Sequence, residues 1–453
     1  MKDLRGFLKI LEDEGLLRRF KEEVDPRFEI AAHHMKAQME KGPAILFENV
    51  KGHDMPVVAN LLGTRQRLAL ALGLPKETSR EMINDDVRRR ARIPGSTNTV
   101  SDAPCKEVVL EGDQLDLRKL PAPVIHEKDA GPYITAGMVI ARDPETGVGN
   151  VSIHRLQVKG KKRLGILIEP RHLFQLVRRA NEANRPLEVA IAIGAHPIIY
   201  MAALAGLPLG EDEFAFAGAL AGEPTEMVKC ESVDLKVPAC SEIVLEGEIP
   251  PGVLEVEGPF AEYTGYYAPA GPRQVVEVKT VTHRSDAIFY TMISRSTELA
   301  MYHVCKYVKT YDAIKSVVPT LQRIYFPETY WLIVSIKKTR RGEARNAMLA
   351  AMNSSDVIKH VIVVDDDIQV DNLREVLWAI ATRFQADKDL LLIKRTWGAS
   401  LDPSSDRGVW TMMGIDATKP LGKPYPERAR IPTLEELNVE GRRKARRSFR
   451  QRT

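Results

Sequence analysis

Two carboxylates stand five residues apart in Glu257-Gly-Pro-Phe-Ala-Glu262, with Tyr263-Thr-Gly-Tyr-Tyr directly behind them. Gly258-Pro259 would break a helix, so the spacing predicts a turn feeding a strand. A turn can aim both acids into one cavity, where neighbouring charges drive their proton affinities apart. One acid then stays ionised while the other carries a transferable proton. Two solvated acids in a surface turn satisfy the same pattern.

Other segments hold groups that could bind an anion or a metal. In Asn150-Val-Ser-Ile-His-Arg155, behind Gly147 and Gly149, strand alternation puts Asn150, Ser152 and His154 on one face and Val151, Ile153 and Arg155 on the other. A bulge or turn at Asn150 is therefore expected if Asn150 and Arg155 are to share a site. The planar fork of Arg155 suits a phosphate or carboxylate; a surface arginine on a strand is the alternative. Glu169-Pro-Arg-His172 opens a helix, with Pro170 near its start, and His172 could ligate a metal, meet an anion or simply pack. Glu231 follows the short apolar run of Met227-Val-Lys-Cys. Asparagine, histidine and glutamate together suit Mn²⁺ or Mg²⁺ rather than structural zinc, although spacing alone does not bring these three together. Asp365-Asp-Asp367 ends an apolar strand; capping and solvation are favoured over metal binding there, because Asp371 and Asn372 start a helix. Neither GxGxxG, a P-loop, GxSxG nor HExxH occurs, which disfavours a Rossmann dehydrogenase or an NTPase.

These groups need a frame. At 453 residues the chain is long enough for several cores. Leu4, Phe7, Leu8 and Leu11 predict an amphipathic first helix, followed by a second at Phe28–Met39 and short strands at Ala44–Phe47 and Pro56–Asn60. This is an α/β texture, expected over residues 1–106 and closed by the basic run Arg88–Arg92 and Pro94-Gly-Ser. Residues 107–297 read as many strands with few long helices, a β-barrel-like domain with helical inserts near Pro170–Ala183 and Ala195–Leu207. Val108-Val-Leu-Glu-Gly112 and Ile243-Val-Leu-Glu-Gly247 suggest matching strand–turn units. Alternation returns over 298–430, where Trp331–Ile336, His360–Val364 and Leu390–Ile393 predict strands with parallel pairing between helices Glu343–Met352 and Leu373–Arg383. Residues 431–453 form a basic helix or tail. From Glu440 onward it carries seven basic residues and one acid, against a chain total of +4. Few aromatic residues interleave with those charges, so nucleic-acid binding is disfavoured. The four cysteines lack CxxC spacing, no apolar run suits a membrane span or a secretory leader, and a cytoplasmic protein with reduced thiols is expected.

Taken in order, NVSIHR, EPRH, the VKCE segment and EGPFAEYTGYY resemble the UbiD family of prenylated-flavin decarboxylases, with VVDDDI and GIDAT in the flanks. The resemblance implies an N-terminal α/β domain, a split β-barrel holding the flavin, and a C-terminal α/β domain whose terminal helix serves a homodimer or homohexamer. It implies prenylated FMN supplied by a flavin prenyltransferase, with Mn²⁺ (or Mg²⁺) and K⁺ at its phosphate. Asn150, His172 and Glu231 match the metal positions. Ser152, Ile153, Arg155 and Arg171 match flavin-contacting positions, and Arg155, Glu257 and Glu262 match the catalytic group. The implied reaction is reversible, non-oxidative decarboxylation of an unsaturated or (hetero)aromatic acid, with Glu262 as proton donor and Arg155/Glu257 in support. Arg295 and His303, in RSTELAMYH, are the expected substrate-side residues. Some relatives carry a flavin-contacting lysine just before the GIDAT segment, where this chain has Trp410-Thr-Met-Met. A non-catalytic flavin-binding or assembly protein of the same fold is the alternative; it would not require the Arg155/Glu257/Glu262 group.

Overall fold

The computed structural model describes residues 3–143, 145–434 and 436–437. Its first helix, Leu4–Asp13, is capped by Asp3, whose carboxylate accepts from the Gly6 amide at 2.8 Å. The helix buries Leu4, Phe7, Leu8 and Leu11, the periodic face that the sequence prescribes. It packs beside a four-stranded sheet in the order Leu17–Phe20, Ala44–Phe47, Val57–Ala59 and Phe289–Tyr290. The last of these runs parallel to Val57–Ala59 and comes from far along the chain.

The middle of the molecule is a closed barrel of six antiparallel strands. Around the ring these are Ile243–Ile249, Leu187–Ile193, Tyr133–Arg142, Gly149–Val158, Arg163–Ile166 and Gly271–His283, which pairs back to Ile243–Ile249. Apolar residues such as Ile140, Val151, Val189, Ile191, Leu245 and Val276 fill the wall. Val108–Glu111 and Ile243–Ile249 both pair with Gly271–His283, but the second is not a strand–turn unit. Gly247 lies inside the strand at a register shift, where an added Cβ would sit 2.1 Å from the Glu277 carbonyl oxygen. Glycine is required there for the close backbone approach of a bulge. A small sheet, Thr97–Val100 with Thr225–Lys229 and Lys236–Pro238, carries the chain into Glu231.

The third region is a five-stranded sheet ordered Leu321–Tyr325, Tyr330–Ile336, Ile358–Asp365, Val409–Ala417 and Leu390–Trp397. Its three central strands are parallel, as expected for Tyr330–Ile336 and Ile358–Asp365, whereas Leu390–Trp397 is an antiparallel edge. Helices Glu343–Ser354 and Leu373–Arg383 flank the sheet. Asn372 caps the second of these, and the acidic run serves an ion-pair cluster: Arg383 meets Asp365 at 2.7 Å and Asp367 at 2.9 Å. From residue 438 onward the expected basic helix lies outside the described residues. Among the described residues, no helix is long and apolar enough to cross a membrane.

Candidate active site

The strand Gly149–Val158 supplies two kinds of chemistry on its two faces. On one face the pleat lines up Asn150, Ser152 and His154. His154 Nδ1 lies 2.9 Å from the Leu167 carbonyl oxygen, so that nitrogen must carry the proton. His154 Nε2 is then the acceptor, Ser152 Oγ donates to it at 2.9 Å, and Asn150 Nδ2 donates to Ser152 at 3.0 Å. Among the described residues the amide oxygen of Asn150 has no hydrogen-bond partner, so it could serve as a donor atom toward a cation. Burial pushes His154 down to about 4, so it stays neutral. Ser152, Ile153 and His154 are half-buried on a strand otherwise mostly buried, which marks where the wall borders open space.

On the other face Arg155 bridges two acids. Its Nε and Nη2 donate to the two oxygens of Glu257 at 3.1 and 2.7 Å, while Nη1 donates to Glu262 Oε1. The guanidinium carbon lies 5.1 Å from the centre of the Phe260 ring, and Tyr133 Oη donates to Glu257 Oε1 at 3.0 Å. Glu257 is completely buried and rests over Gly165, where a Cβ would come within 3.1 Å of its Cγ. The chain turns sharply at Gly258, with φ of +86°, and re-enters as the short strand Phe260–Ala261. Glu262 is then fixed by a turn in which its amide donates to Tyr266 O at 2.9 Å and its carbonyl accepts from Gly265 N at 2.8 Å. Burial pushes the Glu262 carboxyl above the ordinary range, and the charge and hydrogen bond of Arg155 offset this only in part. The two carboxylates and the arginine, more than a hundred residues apart in sequence, thus form one buried group. The expected bulge at Asn150 is absent. The register shift lies in the partner strand between Ile134 and Gly137, opposite Arg155.

His172 is the first residue of helix His172–Glu182, which packs on the barrel beside Gly149–Val158. Burial, with the charges of Arg171 and Lys309, holds its imidazole below the usual value, so the neutral, metal-ligating form is favoured. The Glu231 carboxylate pairs with Lys106 at 2.6 Å, and its backbone amide donates to the buried Glu246 at 2.9 Å. Among the described residues, no three His, Cys, Asp or Glu side chains converge as a metal cage. An Asn150/His172/Glu231 set thus relies on an amide oxygen, and Lys106 stands where a cation would compete. The donor types fit a hard to borderline divalent ion.

Arg171 reaches across to Asp356 of the C-terminal region at 2.7 Å, and Ser400 of that region donates to Glu169. Tyr263 and Tyr330 share a 3.1 Å hydrogen bond over the same junction. Arg295 has φ of +59°, leaves 58% of its side chain exposed and sits 3.7 Å from Glu328, while an added Cβ on Gly265 would come 3.0 Å from its Nη1. His303 joins helices Thr297–Tyr302 and Val304–Val317, and burial with the charges of Lys306 and Arg171 holds it well below the usual histidine value. Tyr133, Phe260, Lys106, Glu246 and Tyr330 are site residues that sequence reasoning missed. Only Phe260 had a visible signal, as the aromatic between the two acids.

Three family models match in succession: the 3-octaprenyl-4-hydroxybenzoate carboxy-lyase N-terminal domain over residues 8–87, the Rift-related domain over 98–296, and the C-terminal domain over 300–417. The UbiD-class enzyme HmfF from Pelotomaculum thermopropionicum, solved in complex with FMN, is 46% identical, with a TM-score of 0.89 over 97% of this chain and 100% of that one. An evolved dimeric form of HmfF, solved in complex with prFMN, is 45% identical, with a TM-score of 0.87 over 96% and 98% of the two chains. Vanillic acid decarboxylase of Sedimentibacter hydroxybenzoicus, in its closed form, is 35% identical, with a TM-score of 0.86 over 99% of each chain. Anhydromevalonate phosphate decarboxylase of Methanothermobacter thermautotrophicus is 35% identical over 92% of this chain and 97% of its own length. The chain belongs to the UbiD family of prenylated-FMN decarboxylases. It is a carboxy-lyase of that family.

Proposed function

We propose that the chain catalyses reversible, non-oxidative decarboxylation of an unsaturated or (hetero)aromatic acid, with prenylated FMN as cofactor, Glu262 as proton donor and Arg155 with Glu257 as its supporting pair. The bridge Glu257–Arg155–Glu262 carries this reading. Exchanging CO₂ for hydrogen needs a proton delivered to carbon, and a buried carboxyl with raised proton affinity holds one where a solvated glutamate would not. Arg155 and Tyr133 place three donors on Glu257, and at Glu262 burial outweighs the charge and hydrogen bond of Arg155, which favours a proton on that carboxyl. Arg155 also fixes the Glu262 carboxyl in place. When bound, prenylated FMN supplies the electron sink for the charge left on carbon as CO₂ departs. Ser152, Ile153, Arg155 and Arg171 are the residues we assign to the flavin. Asn150, neutral His172 and Glu231 would hold Mn²⁺ or Mg²⁺ at its phosphate, beside K⁺, once Lys106 yields Glu231.

The named substrates of the relatives, vanillic acid and anhydromevalonate phosphate, share a carboxyl on unsaturated carbon and differ in the rest of the molecule. Specificity is therefore assigned to side chains outside the bridge, including Arg295 and His303. A homodimer or homohexamer is the assembly we assign, in keeping with the dimeric HmfF form. The test is Glu262→Gln in protein co-expressed with a flavin prenyltransferase. The flavin spectrum should persist, while CO₂ release and exchange of solvent deuterium into product fall by about a hundredfold or more. Exchange within twofold of the parent would refute the assignment.

A further inference from the structure

Glu262 follows directly on a hairpin of two very short strands, Phe260–Ala261 and Tyr267–Ala268. Ala261 stands opposite Tyr267, and the ladder bond from Glu262 N to Tyr266 O belongs to the next pair. Bonded and unbonded pairs alternate in an antiparallel ladder, so Ala261 turns its own N–H and carbonyl away from the hairpin, where they need partners from elsewhere. Two side chains supply them. Asp129 Oδ1 accepts from Ala261 N at 3.0 Å, and Ser294 Oγ donates to Ala261 O at 2.7 Å. The Asp129 side chain has no exposed surface. Its second oxygen accepts from His126 N at 2.8 Å and lies 3.3 Å from His126 Nδ1, so the same carboxylate closes its own loop. That loop grips the turn twice more: Ala130 N donates to Pro259 O at 2.9 Å, and Lys128 N donates to Tyr267 Oη at 3.2 Å. Ser294 is tethered in turn, because Met292 N donates at 3.2 Å to Thr135 Oγ1 on the barrel strand Tyr133–Arg142. Strand alternation puts Phe260 and Glu262 on one side, and the Phe260 ring packs 4.4 Å from the Tyr133 ring centre beside Arg155. A shift of Ala261 therefore moves Glu262 relative to Arg155.

We propose, on the reading that Glu262 delivers the proton, that Asp129 and Ser294 are positioning residues: by clamping Ala261 from both sides they aim the Glu262 carboxyl. Arg155 holds the carboxyl end of that side chain, and the clamp holds its backbone end. Proton transfer to carbon requires donor and acceptor within hydrogen-bond reach, and a displacement of about 1 Å can cost about a hundredfold in rate. An asparagine at position 129 accepts through one atom only, so its amide would meet one of the two N–H groups donor to donor. Asp129→Asn thus keeps at most one of the two backbone bonds, and Asp129→Ala keeps neither.

Two measurements test it: hydrogen exchange of the flavin-free protein, read by mass spectrometry, and turnover of protein loaded by co-expression, with vanillate and 4-hydroxybenzoate as probes. Exchange in the peptide bearing Ala261 and Glu262 should quicken by about tenfold or more in Asp129→Ala and by less in Asp129→Asn, while peptides from the barrel strands keep the parent's rates. kcat per bound flavin should fall about ten- to a hundredfold, with KM within about twofold and the flavin spectrum intact. Ser294→Ala should act in the same direction, and Ser294→Thr, which keeps the hydroxyl, should retain most of the parent's rate. Should Asp129→Ala not fold, Asp129→Asn and Ser294→Ala carry the same comparison. Unchanged exchange in that peptide, protection lost throughout the barrel, or a kcat within twofold of the parent overturns the proposal. Where the parent turns over neither probe, exchange alone decides. Glu262→Gln protein that matches the parent's turnover sinks the catalytic reading, and exchange then still shows whether the clamp exists.

Discussion

Removing Arg155 should strand two carboxylates in the barrel wall. Arg155 makes three hydrogen bonds to Glu257 and Glu262, and Glu257 is wholly buried. Deleting one partner of a buried ion pair costs about 3–5 kcal/mol, because the remaining charge is left without compensation. If the region matched over 98–296 melts as a unit, a size at which each kcal/mol shifts Tm by about 2–4 °C, Arg155→Met should lower Tm by about 6–20 °C. The deficit should depend on pH. Burial already raises Glu262 in the folded state, and losing Arg155 removes the main influence that pulls it back. A carboxyl whose folded value lies above its unfolded one favours the fold while protonated and disfavours it as pH rises through the folded value. The deficit should therefore shrink as pH falls toward the ordinary carboxylate range. Adding Glu257→Gln should recover part of the loss, since it removes the stranded charge. Calorimetry of the cofactor-free protein at several pH values measures all three effects. A Tm change below 2 °C, or a deficit that ignores pH, would show that the bridge is not the buried ion-pair group argued above.

Turnover that draws its proton from Glu262 should be level at low pH and fall as pH rises through a value above the normal carboxylate range, because burial holds the proton on that group. A kcat profile whose descending limb tracks an unshifted glutamate would contradict this. Glu246 accepts from Glu231 N at 2.9 Å and from Ser232 N at 2.6 Å, fixing the loop that offers the Glu231 carboxylate. Glu246→Gln should weaken Mn²⁺ affinity by about 10- to 100-fold, read by metal titration of flavin-loaded protein; an unchanged titration curve would remove Glu231 from the metal set.

The α/β, barrel and α/β succession was legible because each region declares its period locally: 3.6 in Leu4–Leu11, and alternation with glycine punctuation through the barrel strands. What stayed hidden depends on distant backbone. Nothing around Phe289-Tyr290 says that it completes a sheet begun at Leu17–Phe20, and Gly247 reads as a turn residue until its neighbour Glu277 is in place. At the site, residue types point to the two acids, the family resemblance adds the arginine, and the structure brings the three together. Sequence could not reveal that Tyr133, 124 residues before Glu257, donates to it, or that Lys106 is paired with Glu231. Such partners are ordinary residues on ordinary strands and loops, selected by three-dimensional proximity alone. Arg295 and His303 lie close in sequence, yet the first is largely exposed beside Glu328 and the second sits between two helices, where burial and the charges of Lys306 and Arg171 hold it neutral.

The strand Phe289–Tyr290 has a consequence for biosynthesis. Val57–Ala59 leaves the ribosome long before its parallel neighbour is made; at about 5–20 residues per second the wait is on the order of 10–50 s. For that interval the nascent first region presents an unsatisfied row of amides and carbonyls, a template for pairing with another chain. Slowing translation between these two segments should therefore increase aggregation during expression without changing the finished molecule. For the same reason the first ninety or so residues, expressed alone, should be far less soluble than a piece that extends past Tyr290.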